Sequence, residues 1–207
     1  MEPVKRKIPA AAVRATASGV IFMALFGSIW AYTGTMGLQG WNTPWLLVAA
    51  AVIGLALIAG AIALIRASKA LQHDLPQQAA GYRKRILFWF NVIFAAEGLA
   101  IAATVMACIA AERTDWIPIF IAIIVGIHFF PLASLFRVDI YHYTGALLCV
   151  LALITWLAVP AELKIGDQEI MAYMTFVGFG SALILWATAL VIWNVGRRLL
   201  RDGRKQQ

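Results

Sequence analysis

The sequence predicts an all-α, polytopic membrane protein: one bundle of six transmembrane helices with both termini in the cytoplasm. Three observations predict it, namely the composition, six long apolar segments and the distribution of lysines and arginines. Hydrophobic residues make up 62% of the chain and charged residues only 13%, whereas soluble globular chains have about 45–50% and about 25%. A soluble domain of 207 residues could not bury this much apolar surface, so contact with lipid is expected.

The apolar residues fall in six continuous segments. The length of each segment is close to the roughly 20 helical residues that are needed to cross a hydrocarbon core of about 30 Å. An open strand cannot cross lipid with unpaired backbone groups, so each segment is expected to be helical. A β-barrel is excluded because the segments do not alternate between apolar and polar residues. The expected helices are approximately residues 16–35, 44–65, 86–111, 116–136, 141–160 and 171–195.

The first segment follows a basic stretch, Lys5 to Lys7 and Arg14, and so resembles a signal peptide. Its apolar run continues to about Thr33, and no small-x-small cleavage pattern follows it. We therefore interpret it as an uncleaved first helix. The second and sixth segments contain closely spaced glycines and alanines, among them Gly54 and Gly178, which suit helix packing in lipid.

The longest connection, residues 66–85, separates the second and third segments, and a short helix or turn is predicted at residues 77–80. All other connections are short. Residues 1–207 are therefore expected to form one membrane domain with short cytoplasmic tails.

Lysines and arginines determine the predicted orientation. All but two of the 17 lie in the N-terminal tail, in the loop 66–85, at Arg137 or in the C-terminal tail. Only Arg113 and Lys164 lie on the opposite side. The positive-inside rule then places both termini and the 66–85 loop in the cytoplasm. Because the basic residues separate apolar segments rather than following one face, the net charge of +7 indicates topology, and no nucleic-acid partner is expected.

Two ionisable side chains lie well inside the apolar segments, Glu97 in the third and His128 in the fourth. At about 1.5 Å per residue they lie roughly 16 Å and roughly 12 Å from the cytoplasmic ends of their helices. Their depths therefore match within about one turn, which allows a contact between them but does not determine whether they touch. Burial disfavours the charged form of each group and a mutual contact favours it, so the two could exchange a proton.

Ionisable groups inside a membrane often mark a functional pathway, so Glu97 and His128 are predicted to bind a proton or substrate. The alternative is that Glu97 is hydrogen-bonded to a neighbouring helix and only holds the bundle together. Thr104 shares a helical stripe with Glu97, and this stripe either lines a path or forms an ordinary packed face. Asn91 lies about 120° from Glu97 around the helix and is expected to bond elsewhere.

Four further residues are predicted to support the site. Pro131 frees a backbone carbonyl and is expected to kink the fourth helix beside Gly126. Tyr141 and His142 lie in the segment 137–144 at the cytoplasmic side of the fifth helix. That segment either gates an entrance or anchors the helix at the interface.

No motif for catalysis or for metal binding is present: H-E-x-x-H, paired glutamates, G-x-S-x-G and C-x-x-C are all absent from the sequence. A zinc site needs about three protein ligands. His128, His142, Asp139 and Glu97 are the available candidates, but His142 is expected near the membrane surface. We therefore expect no enzyme, no cofactor and no metal, with an intramembrane metal-dependent enzyme as a remote alternative.

The pair Glu97-Gly98, followed in the next helix by the G-x-H-F-x-P-L-A stretch at residues 126–133, resembles an uncharacterised family of bacterial inner-membrane proteins. The resemblance covers about residues 86–150. It implies a location in the bacterial inner membrane and directs attention to Glu97, Gly126, His128 and Pro131. It implies no substrate.

Two functions are consistent with these observations. The first is a small secondary transporter or channel-like protein with a protonatable Glu97/His128 site, whose partners are the lipid bilayer and a proton or small solute. The second is a structural or regulatory subunit that binds another membrane protein or a second copy of itself.

Overall fold

Six long α-helices form the fold, within the residues that a computed structural model of the chain describes: 10–41, 43–70, 79–166 and 168–205. Each is long and apolar enough to cross a bilayer, which indicates a multi-pass membrane protein. The prediction of an all-α bundle of six such helices is confirmed. The helices are α1 (Ala10–Gly37), α2 (Thr43–Ser68), α3 (Ala79–Ala110), α4 (Ile117–Phe136), α5 (Ile140–Ala158) and α6 (Ala172–Arg204).

Three helices are longer than their apolar segments. Helix α1 begins at Ala10 rather than near residue 16, α3 begins at Ala79 rather than near 86, and α6 ends at Arg204 rather than near 195. Hydropathy indicates which residues suit lipid. Alanine, arginine and leucine also have high helix propensity, so a helix can continue beyond its apolar segment. Of the short helix or turn predicted at residues 77–80, residues 79 and 80 are helical as the first residues of α3, and residues 77 and 78 lie outside the described residues.

A β-hairpin, which the sequence did not predict, connects α5 to α6. Strands β1 (Glu162–Ile165) and β2 (Gln168–Met171) pair antiparallel, and Gly166 in their turn has a φ of 63°. Strands of four residues are too short for their alternation to be recognised in the sequence. Their register aligns Lys164 with Glu169, and this pair forms an ion pair of 3.5 Å.

Helix α6 lies at the centre of the bundle and α3 at its edge. Of the apolar span of α6, 56% is buried, but of that of α3 only 6%. The most extensive contact is between α6 and α1, where the backbones of Gly178 and Gly34 lie directly against each other. The close packing expected of the sixth helix is therefore present.

The two ends of the bundle differ in charge. We call the end where α1, α3 and α5 begin and α2, α4 and α6 end the basic end; there Gly196 of α6 lies beside Thr16 of α1 and Leu64 of α2. The opposite end is the hairpin end. Both of its cations are paired with acids, Arg113 with Asp115 at 3.3 Å and Lys164 with its strand partner. The uncompensated positive charge of the described residues therefore lies at the basic end.

Candidate functional site

Helix α3 faces the protein with a single stripe of residues. Glu97, Ile101 and Thr104 are half-buried and Cys108 is buried, whereas most other α3 side chains in the described residues are exposed. This stripe, predicted from its helical spacing, is thus the packed side of α3. Glu97 is the acidic residue in it and, of these four, lies nearest the basic end.

Helix α4 presents different residues to its two neighbours. At 100° per residue, Gly126 and His128 point in nearly opposite directions. Gly126 lies against α5, where a Cβ atom would come within 2.5 Å of Cys149 Sγ and 2.9 Å of the Gly145 carbonyl oxygen. Gly126 therefore allows α4 to pack closely on α5, which leaves His128 turned toward α3.

Glu97 and His128 meet between these two helices. Glu97 Oε1 lies 3.1 Å from His128 Nδ1, and their side chains are only 10% and 11% exposed, respectively. The contact that their matching depths allow is present. We refer to these two residues as the Glu97–His128 pair.

The surroundings of His128 assign its tautomer. Nδ1 lies 2.6 Å from the backbone carbonyl oxygen of Val125, and a carbonyl oxygen can only accept a hydrogen bond. Nδ1 therefore carries a hydrogen and donates it to Val125, with Glu97 Oε1 as a second acceptor nearby. Nε2 is left as the position at which the imidazole gains or loses a proton, and it makes no hydrogen bond with any described residue.

A cluster of phenylalanine rings lies beside the pair. We define the phenylalanine cluster by five rings with neighbouring centroids 5.0–6.4 Å apart: Phe22, Phe26, Phe90, Phe94 and Phe136. Its Phe94 ring stands edge-on to the His128 imidazole at 6.0 Å.

Two members of the phenylalanine cluster lie nearer to the basic end than the Glu97–His128 pair does. Phe90 and Phe136 lie about two turns closer to that end than Glu97 and His128 do. Three rings of the cluster, Phe22, Phe26 and Phe136, are exposed on the outside of the bundle. Sequence analysis missed the cluster, although the four-residue spacing of its members in α1 and α3 was a usable signal.

Three predicted supporting residues do not join the site. Asn91 and His142 are exposed, as is Pro131, and α4 continues through Pro131 without a break in its helix. Asn91 lies outside the packed stripe of α3 because of its angle around the helix. Among the described residues, no hydrogen bond or ion pair joins any of the three to the Glu97–His128 pair, and their supporting role stays a prediction.

Tyr141 is buried within the bundle. Its ring packs on Phe129 of α4 with centroids 5.6 Å apart, and a Cβ atom at Gly19 of α1 would lie 3.1 Å from its hydroxyl oxygen. Nearby, the hydroxyls of Thr144 and Thr188 share a buried hydrogen bond of 2.8 Å between α5 and α6. This part of segment 137–144 thus packs helices together.

Among the described residues, no group of three His, Cys, Asp or Glu side chains is arranged to hold a metal ion. No protein-family model, curated protein or solved structure matches the chain. The family resemblance of residues 86–150 therefore stays a prediction.

Proposed function

We propose that the protein is a small proton-coupled transporter or channel-like protein, in which the Glu97–His128 pair takes up and releases a proton within the membrane. The observation that carries the proposal is the 3.1 Å contact between two ionisable groups deep in otherwise apolar helices. Such groups are costly in a membrane and are usually retained for a purpose.

The chemistry of the pair suits proton exchange. A proton added at Nε2 makes His128 positive, and the carboxylate of Glu97 then offsets that charge across the short contact. When the proton leaves, the neutral imidazole keeps its hydrogen bond to Val125. Both states of the imidazole therefore retain a polar partner.

We further propose that the protein lies in the bacterial inner membrane with its basic end in the cytoplasm. The charge difference between the two ends supports this orientation through the positive-inside rule. Only two cations, Arg113 and Lys164, lie at the hairpin end among the described residues, and the rule counts lysines and arginines.

Replacing Glu97 by glutamine is expected to abolish proton movement. Glutamine is nearly isosteric but cannot take up or release a proton at neutral pH. The measurement uses the full chain in liposomes, with a potassium gradient and valinomycin to drive protons inward and an enclosed pH-sensitive dye to report them.

The control is Glu162→Gln, which removes an exposed carboxylate at the hairpin end and should leave the flux unchanged. Full flux in the Glu97 variant would show that this residue carries no proton. A wild-type flux equal to that of protein-free liposomes would contradict the proposed activity.

A second candidate function is a subunit that binds another membrane protein through α3. Its support is the outer face of α3, where Leu99 and Met106 are 72% and 68% exposed on a helix with little burial. Leu99→Trp is expected to block a partner helix and to abolish its recovery from native membranes. Leu183→Trp, on an α6 residue that is 64% exposed, is the control. Equal recovery with both variants would exclude the α3 face as the binding surface.

A further inference from the structure

A cleft of about 300 Å³ opens between α3 and α4 at the basic end. Its lining combines two arginines, a tryptophan, a serine and two aliphatic side chains: Arg85, Ile86, Trp89, Ser134, Leu135 and Arg137. The apolar span of α3 begins at Lys84 and that of α4 ends at Phe136. The cleft therefore lies at the level where the hydrocarbon core meets the polar headgroups.

The two arginines in the cleft have no acidic partner among the described residues. Neither Arg85 nor Arg137 forms an ion pair with any residue that the structure describes, including Asp139, the acidic residue nearest to Arg137 in sequence. This contrasts with Arg113 and Lys164 at the other end, both of which are paired. Two unpaired guanidinium groups on neighbouring helices form a site that attracts an anion.

The backbone at Arg137 has a positive φ, as it has at Gln39 and Glu112. Arg137 ends α4 in the left-handed conformation, with a φ of 56° and a ψ of 47°. Glycine is the usual residue there because a Cβ atom is disfavoured in that conformation. Glycine at this position would therefore keep the end of α4 intact.

We propose that Arg85 and Arg137 bind the phosphate group of an acidic phospholipid headgroup in this cleft. Guanidinium groups match phosphate oxygens with paired, charge-assisted hydrogen bonds, and basic pockets between membrane helices suit such headgroups. Trp89 provides a ring at the depth where tryptophan favours the interface. Soluble phosphate has the same chemistry, but the position of the cleft at the membrane surface favours the lipid.

A bound headgroup would bridge α3 and α4 near their ends. Helix α3 is the least buried of the described helices, and its other polar link to α4 is the Glu97–His128 pair. The inference goes beyond the proposed function, because it concerns different residues and holds whether or not the protein moves protons.

The test is native mass spectrometry of the full chain in detergent with added phosphatidylglycerol, and with zwitterionic phosphatidylcholine for comparison. The variant Arg85→Gln/Arg137→Gly removes both charges, and glycine keeps the left-handed helix end intact. We expect its dissociation constant for phosphatidylglycerol to rise about tenfold or more, with an unchanged melting temperature.

The matched control is Arg66→Gln/Arg198→Gln, which removes two exposed charges from the same end but outside the cleft. If the site is specific, this control should raise the dissociation constant for phosphatidylglycerol less than twofold, which corresponds to about 0.4 kcal/mol. An equal loss in both double variants, or no preference for phosphatidylglycerol over phosphatidylcholine in the wild type, would overturn the proposal. If excess inorganic phosphate displaces the lipid, the cleft binds soluble phosphate, and the proposal of a lipid headgroup is wrong.

Discussion

Gly178→Leu is expected to prevent the protein from folding into a stable bundle. Gly178 and Gly34 bring the backbones of α6 and α1 into direct contact, and a Cβ atom on Gly178 would overlap the backbone of Gly34. Overpacking a core costs about 1–3 kcal/mol where side chains can adjust, and more where they cannot. Here the obstacle is backbone, so α1 and α6 must separate along their whole contact.

The measurement is the yield of monodisperse protein after detergent extraction, together with the midpoint of thermal unfolding. Gly98→Leu is the matched control, because a Cβ atom at Gly98 in α3 meets nothing within 4 Å. The control should resemble the wild type. A Gly178 variant as stable as the Gly98 variant would show that the α1–α6 contact is looser than the structure indicates.

Removing one member of the Glu97–His128 pair should destabilise the protein more than removing both. His128→Leu leaves the Glu97 carboxyl buried without a partner among the described residues, at a cost of about 1–3 kcal/mol. Glu97→Leu should cost less, since His128 keeps its bond to the Val125 carbonyl. The double variant to leucine removes both polar groups from an apolar setting and should recover most of the lost stability.

This series distinguishes a proton carrier from a structural link. Thermal unfolding of the four proteins gives the coupling energy between the two side chains, and the liposome assay gives their proton flux. The proposal expects a double variant that is folded and inactive. A double variant that still moves protons would show that the pair serves only to hold α3 to α4.

Hydropathy alone predicted the six helices, because the requirement for about 20 apolar residues to cross lipid is local in sequence. It did not predict where three of the helices end, since residues 79–85 of α3 are helical outside the apolar segment. It also did not predict the hairpin at residues 162–171, whose strands form only through their pairing with each other.

Counting residues along α3 and α4 was enough to predict that Glu97 and His128 lie at similar depth, because a helix rises by a constant amount per residue. The rotation of each helix about its axis was decided by the tertiary structure. Close packing of Gly126 on α5 turns His128 toward α3, and the tertiary structure leaves the side chains of Asn91, Pro131 and His142 exposed.

What the sequence by itself determined is the class of the protein, the number of its long helices and the depth of its two ionisable groups. Only the tertiary structure decided that these groups touch, that phenylalanines from three helices cluster beside them, and that two arginines share a cleft. The physical reason is that depth and hydropathy follow from consecutive residues, whereas these neighbours come from helices far apart in the chain and are set by packing.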